Sequence, residues 1–168
     1  MTSNETKPQV TTDLTPALEA FCRFIFKTPA SQKEIVIARS HDIGKLIHSS
    51  IQITDLPQKR PFLKHPVTFI LPVNQDNHHA LTSNFISISS WGRQKVKDGI
   101  EYEYRKWIER RFELGYMKRF TQKEIINAIL RALNVRNNAT NFDAIKKIDY
   151  RNRRKTEEKR FFELFSSD

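Results

Sequence analysis

Cys22 is the only cysteine in the chain. A lone thiol excludes an internal disulfide, and it excludes metal sites built on paired thiolates. It lies in the apolar run Ala20-Phe21-Cys22-Arg23-Phe24-Ile25-Phe26, which predicts a buried, unreactive side chain and suits a reducing compartment. Glycine is nearly as scarce, with four residues in 168, which argues against an all-β chain full of tight turns and favours helices. No stretch approaches the roughly eighteen consecutive apolar residues of a membrane span. The opening residues, Met1-Thr2-Ser3-Asn4-Glu5-Thr6-Lys7, lack the basic-then-apolar order of a secretory signal. The expectation is a cytoplasmic protein without a membrane partner. Also missing are a glycine-rich phosphate loop, a GxSxG elbow and a CxxC pair.

What the chain does have is aromatic residues and positive charge. Twelve Phe, four Tyr and two Trp can build a core, which rules out wholesale disorder. The formal net charge is +10, and it is unevenly spread. Residues 1–84 carry nine Lys/Arg against seven Asp/Glu, a net of +2, whereas residues 85–168 carry twenty against twelve, a net of +8. A basic half of this size favours polyanions, nucleic acid first. In composition alone, this Asn/Arg/Lys-rich half resembles accessory proteins of mobile elements, with no family motif attached to it.

Along the chain, residues 1–12 are polar and Thr-rich and predict a disordered arm, followed by one globular domain over 13–168 whose more basic helical half is 90–168. Asp13 or Thr15 can cap a helix from Pro16 that presents Leu18, Phe21, Cys22 and Ile25 and stops at Thr28-Pro29. Ser31 and Glu34 match a capping box for a second helix, along which Ile43, Ile47 and Ile51 form the better apolar face. Residues 54–66, with three prolines, predict an extended crossing. Val67–Val73 and Phe85–Ser89 are strand candidates, giving a two-stranded β element near residues 67–89. A helix from Ser89 or Ser90 to Leu114, closed by Gly115, carries the stripe Val96, Ile100, Tyr104, Trp107, Ile108 and Phe112. Thr121 and Glu124 form a second capping box before Ile125, Ile126, Ile129, Leu130 and Leu133. A long basic C-terminal helix begins near Phe142. The fold class expected is mainly α, of α+β type.

That last helix poses the functional question. Residues 146–160 hold eight Lys/Arg against three Asp/Glu, and no apolar side chain occurs between Tyr150 and Phe161. The flanks, Phe142-Ala144-Ile145-Ile148 and Phe161-Phe162-Leu164-Phe165, read as buried anchors, so Arg151–Lys159 should project or bridge. Lys146, Lys147, Arg151, Arg153, Arg154 and Lys155 are then candidate phosphate contacts, with Arg110, Arg111 and Arg119 as a second patch. The competing reading is a solvated helix satisfied by its own i,i+4 charge pairs. A third makes Phe161, Phe162 and Phe165 an exposed hook for a protein partner or a second copy. Residues 121–134 and 142–150 also invite a helix-turn-helix reading, weakened by a connector of about seven residues and by Asp143 at the base-reading position.

Catalytic constellations are thin. Asp76 with His78 and His79, and Asp42 with His41 and His48, are carboxylate–imidazole groups without chelating spacing, and they read as surface residues. No metal, cofactor or enzymatic activity is expected. The function expected is non-catalytic nucleic-acid binding, DNA rather than RNA, by a regulator or accessory protein. The alternative is an assembly subunit that uses the aromatic tail.

Overall fold

The computed structural model describes residues 7–166. The protein is mainly helical with a small β component and a long C-terminal helix. It divides into two compact units, Met1–Tyr102 and Glu103–Asp168.

In the first unit, strand β1 (Gln9–Asp13) pairs antiparallel with β4 (Pro66–Ile70), and the two-residue β2 (Ile35–Val36) pairs parallel with the other edge of β4. Residues 9–12 therefore form a strand where a disordered arm was expected; residues 1–6 lie outside the described residues. The alternation of Val10 and Thr12 supplies the reason, because both side chains are buried, opposite Phe69 and Val67. On the other face Thr11 and Thr68 sit directly opposite and share a 2.9 Å hydroxyl hydrogen bond.

The second strand also displaces an expected helix. Ser31 and Glu34 begin nothing helical, because Ile35 is wholly buried opposite Phe69 and burial in the sheet outweighs a local capping pattern. Helix α1 (Pro16–Ile25) is capped by Thr15 and buries Leu18, Phe21 and Cys22, as its spacing predicts. Helix α2 starts only at Asp42 and runs to Ser50, with the His41 ring nitrogen accepting from the Ile43 amide and with Ile43 and Ile47 buried. Gly44 allows the chain to fold tightly here, since a Cβ would lie 2.0 Å from the Ala38 carbonyl oxygen. Strand β3 (Ile51–Thr54) pairs antiparallel with β5 (Phe85–Ile88), and the short α3 (His78–Thr82) precedes β5. Both expected strands over 67–89 exist, but they belong to different sheets and do not form a hairpin with each other.

The boundary between the units falls within helix α4 (Ser90–Met117). In the second unit Tyr104, Ile108 and Phe112 of α4 are buried, as are Ile125, Ile126, Ile129 and Leu130 of α5 (Gln122–Ala132) and Ile145 of α6 (Ala139–Phe165). Gly115 does not end α4. It sits inside the helix, where a Cβ would meet two Ile125 side-chain carbons at 2.5 Å, so glycine permits α4 and α5 to approach closely. The helix stops at Arg119, which adopts φ 63 while its amide donates to Tyr116 and the Phe120 amide reaches the Gly115 carbonyl. Lys27 after α1 and Asn134 after α5 repeat this left-handed closure, so three helices end this way without a glycine.

Candidate nucleic-acid interface

α6 is continuous for 27 residues, about 40 Å at 1.5 Å per residue. Neither glycine nor proline interrupts Ala139–Phe165, and Asn138 caps its start by accepting from the Asn141 amide. The buried stripe passes through Ile145 and Asp149 to the half-buried Asn152 and ends there. The sequence places Ile148 after Ile145 on the apolar face, which then fails. The 3.6-residue period turns it instead onto 149.

Asp149 is thus an acid at the last core position of a basic helix, with 2% of its surface exposed. Three neighbours hold it. The Tyr116 hydroxyl donates to Oδ2 at 2.7 Å and the Gln122 amide donates to the same oxygen at 2.5 Å. Arg153, one turn along α6, donates from Nε to Oδ1 at 3.3 Å and brings Nη2 to 3.1 Å from Oδ2. The same guanidinium contacts the Tyr116 hydroxyl and lies over the Tyr116 ring, 4.5 Å from its centroid. Burial, reinforced by the hydrogen bond to Asp149, raises the Tyr116 pKa above its ordinary value, so the phenol stays a proton donor to the carboxylate. This cluster clamps α4, α5 and α6 together.

Beyond Asn152 every described residue of α6 is exposed. The expected anchor at Phe161-Phe162-Leu164-Phe165 is therefore not buried. These side chains are 60%, 68%, 77% and 72% exposed, and Phe161 and Phe165 contact each other with ring centroids 5.0 Å apart. No core surface reaches this far along the helix, which is why the apolar tail stays in solvent.

The candidate cations divide by what they touch. Arg153 belongs to the Asp149 clamp. Arg154 is paired with Glu158 at 2.9 Å, and Lys159 approaches Glu163 at 4.0 Å, so part of the helix does satisfy itself. Lys146, Lys147, Arg151 and Lys155 are exposed and form no ion pair with an acid among the described residues. Lys147, Arg151 and Lys155 are spaced by four, on the face of α6 turned away from Asp149, and span about 12 Å along the axis.

This chain matches no known family model, no curated protein and no solved structure. The site therefore stands on its own chemistry.

Arg110, Arg111 and Arg119, the second patch, are all exposed. Arg110 and Arg111 are successive helical residues and point about 100° apart. Arg111 lies 5.2 Å from the Trp107 ring centroid, in cation–π contact, and Arg119 is the residue that closes α4. The paired helices α5 and α6 pack together, joined by a six-residue connector, 133–138, and Asp143 is exposed on α6. His78 and His79 are adjacent and exposed on α3, His41 caps α2, and among the described residues no group of three His, Cys, Asp or Glu is placed to hold a metal ion. Cys22 is buried, which pushes its thiol up to about 12. No helix among the described residues is long and apolar enough to cross a membrane.

Proposed function

We propose that this is a non-catalytic nucleic-acid-binding protein, a DNA-binding regulator or accessory protein that lays α6 along a phosphate backbone. One observation carries this reading: the exposed ladder Lys147, Arg151 and Lys155, each four residues from the next and none paired with an acid among the described residues. Like charges at i,i+4 destabilise a helix by about 0.2–0.5 kcal/mol per pair, so a helix needed only as a solvated bridge gains nothing from such a run. A polyanion relieves the repulsion and gains from counterion release. A cytoplasmic setting belongs to this reading and is supported by the buried, unpaired Cys22 thiol.

The test is fluorescence anisotropy on labelled duplex DNA, single-stranded DNA and RNA across a salt series. The Lys147→Ala/Arg151→Ala/Lys155→Ala variant should lower the log–log salt slope on duplex by about 3, at roughly 0.9 per phosphate contact. An unchanged slope, or a wild-type chain that binds nothing at low salt, overturns the reading.

The exposed Phe161, Phe162 and Phe165 favour a second reading, an assembly subunit that docks its tail on a protein partner or another copy. Association through that tail persists at high salt and is lost in Phe162→Ser/Phe165→Ser, whereas phosphate binding falls steeply with salt.

A further inference from the structure

We propose that the crossing between β3 and β4 in the first unit is a separate nucleic-acid contact, which takes a single-stranded segment by stacking a base on Phe62 between Lys59, Arg60 and Lys64. It extends the nucleic-acid reading to residues outside α6, and its test separates the two.

Phe62 is 92% exposed, more than any other large hydrophobic side chain among the described residues. Both ends of the crossing are fastened. At one end Thr54 closes β3 and its hydroxyl donates to the Leu56 carbonyl at 2.8 Å. At the other the His65 amide donates to Asp13 Oδ1 at 2.7 Å, and its carbonyl accepts from the Leu14 amide at 3.2 Å. The His65 ring lies 2.5 Å from Glu19 Oε2, and Arg23 holds that same carboxylate. Between these points Pro57 and Pro61 fix their φ angles, which lowers the number of conformations open to the segment.

Charge identifies the occupant. Asp55 is the one acid of the crossing, while Lys59, Arg60 and Lys64, two or three residues from Phe62 along the chain, are all exposed. A ligand must therefore be anionic and also offer a flat or apolar face. Nucleic acid offers both, and stacking on an aromatic side chain tolerates any base. In a duplex the bases are already stacked on one another, so a single strand is the form that can give one up. A lipid surface fits less well, because Leu63 beside the ring is half-buried and Leu56 lies six residues away. One aromatic ring anchors weakly in a bilayer.

The experiment uses the full chain with Phe62→Ala, Phe62→Tyr and Lys59→Ala/Arg60→Ala/Lys64→Ala. The probes are labelled oligothymidylate, duplex DNA and phosphatidylserine vesicles. The positions are exposed, so these variants should keep the wild-type circular dichroism. Phe62→Ala is expected to weaken single-strand binding by roughly 5- to 150-fold while leaving duplex binding unchanged. Phe62→Tyr should retain it, and the triple variant should lower the single-strand salt slope by about 2. Wild-type binding to single strands that Phe62→Ala leaves intact overturns this contact and leaves the α6 ladder standing. Vesicle binding lost in Phe62→Ala, with single-strand binding kept, assigns the loop to lipid and also overturns it. A wild-type chain that binds duplex but no single strand overturns it alone; one that binds neither overturns both readings.

Discussion

Replacing Asp149 by Ala removes the one carboxylate on which three elements of the second unit converge. In the native chain it accepts from Tyr116 at 2.7 Å and Gln122 at 2.5 Å, and it pairs with Arg153 at 3.1 Å. Breaking a buried ion pair by deleting one partner costs about 3–5 kcal/mol. The Arg153 side chain is 51% exposed and can turn to water, which moves the expectation to the low end, about 3 kcal/mol. Tyr116 and Gln122 are half-buried, so their donors are left with poor alternatives. With an m-value of about 2 kcal/mol per molar in urea, that loss shifts the midpoint by about 1.5 M. Urea titration followed by circular dichroism and tryptophan fluorescence reads it directly. Arg153→Ala should cost about 3 kcal/mol as well, because it leaves the buried Asp149 carboxylate without its counter-charge. The comparison also divides structure from contact. Arg153→Ala should leave the DNA salt slope nearly intact, whereas Arg151→Ala should lower it by about 0.9. An Asp149→Ala chain within about 0.5 kcal/mol of wild type, the range of an ordinary surface substitution, would refute the clamp.

Other expectations follow from single positions. Gly115→Ala should destabilise the second unit by about 1–3 kcal/mol through the contact with Ile125, and adding Ile125→Val should recover part of the loss in the same urea assay. Arg119→Gly should stabilise by about 0.5–1 kcal/mol, because Arg119 holds a left-handed backbone that glycine adopts freely, and a thermal melt shows the sign. Burial and the nearby Arg39 charge lower the His48 pKa, and its buried Nε2 has no hydrogen-bond partner. The unfolded chain then binds the extra proton more readily, so stability should fall as pH drops below about 6.5 toward the folded pKa. Denaturation midpoints at about pH 7.5 and 5.5 should differ less in His48→Gln than in wild type. With its thiol pushed up to about 12, Cys22 should react with an aromatic disulfide reagent only after unfolding, which absorbance detects.

Helices α1, α4, α5 and α6 were legible because each carries its own evidence, whereas α2 began later than its capping pattern suggested and α3 was not foreseen. The Thr15 and Thr121 caps and the apolar spacing of Leu18, Phe21 and Cys22, or of Ile125, Ile129 and Leu130, are local signals that burial reinforces. The strands were legible only in part. Val67–Ile70 declares itself by composition, but nothing local says that its partners are Gln9–Asp13 and Ile35–Val36, because pairing is a long-range choice made by the shared buried face. The candidate site was legible as a region and not as an arrangement. Lys147, Arg151 and Lys155 were singled out for their charge, and only their helical phase separates them from Arg153. Asp149 was hidden because an acid in a basic run reads as surface; its spacing of four from both Ile145 and Arg153 was the available signal. The exposure of Phe62 was not legible, since phenylalanine is among the residue types most often buried.

The projecting part of α6 raises a question of stability that bears on its use. Residues after Asn152 have no core beneath them, and an isolated helix of about a dozen residues is marginal in water. Here the nucleus already exists, because Ile145 and Asp149 fix the preceding turns, and each further residue only has to propagate them. The Arg154–Glu158 and Lys159–Glu163 pairs support that propagation at about 0.2–0.5 kcal/mol each. The Arg151–Lys155 and Lys155–Lys159 spacings oppose it by similar amounts. The charge pairs of this segment are therefore close to balance, and on the nucleic-acid reading proposed above a polyanion that neutralises Arg151 and Lys155 would favour the outer turns of α6.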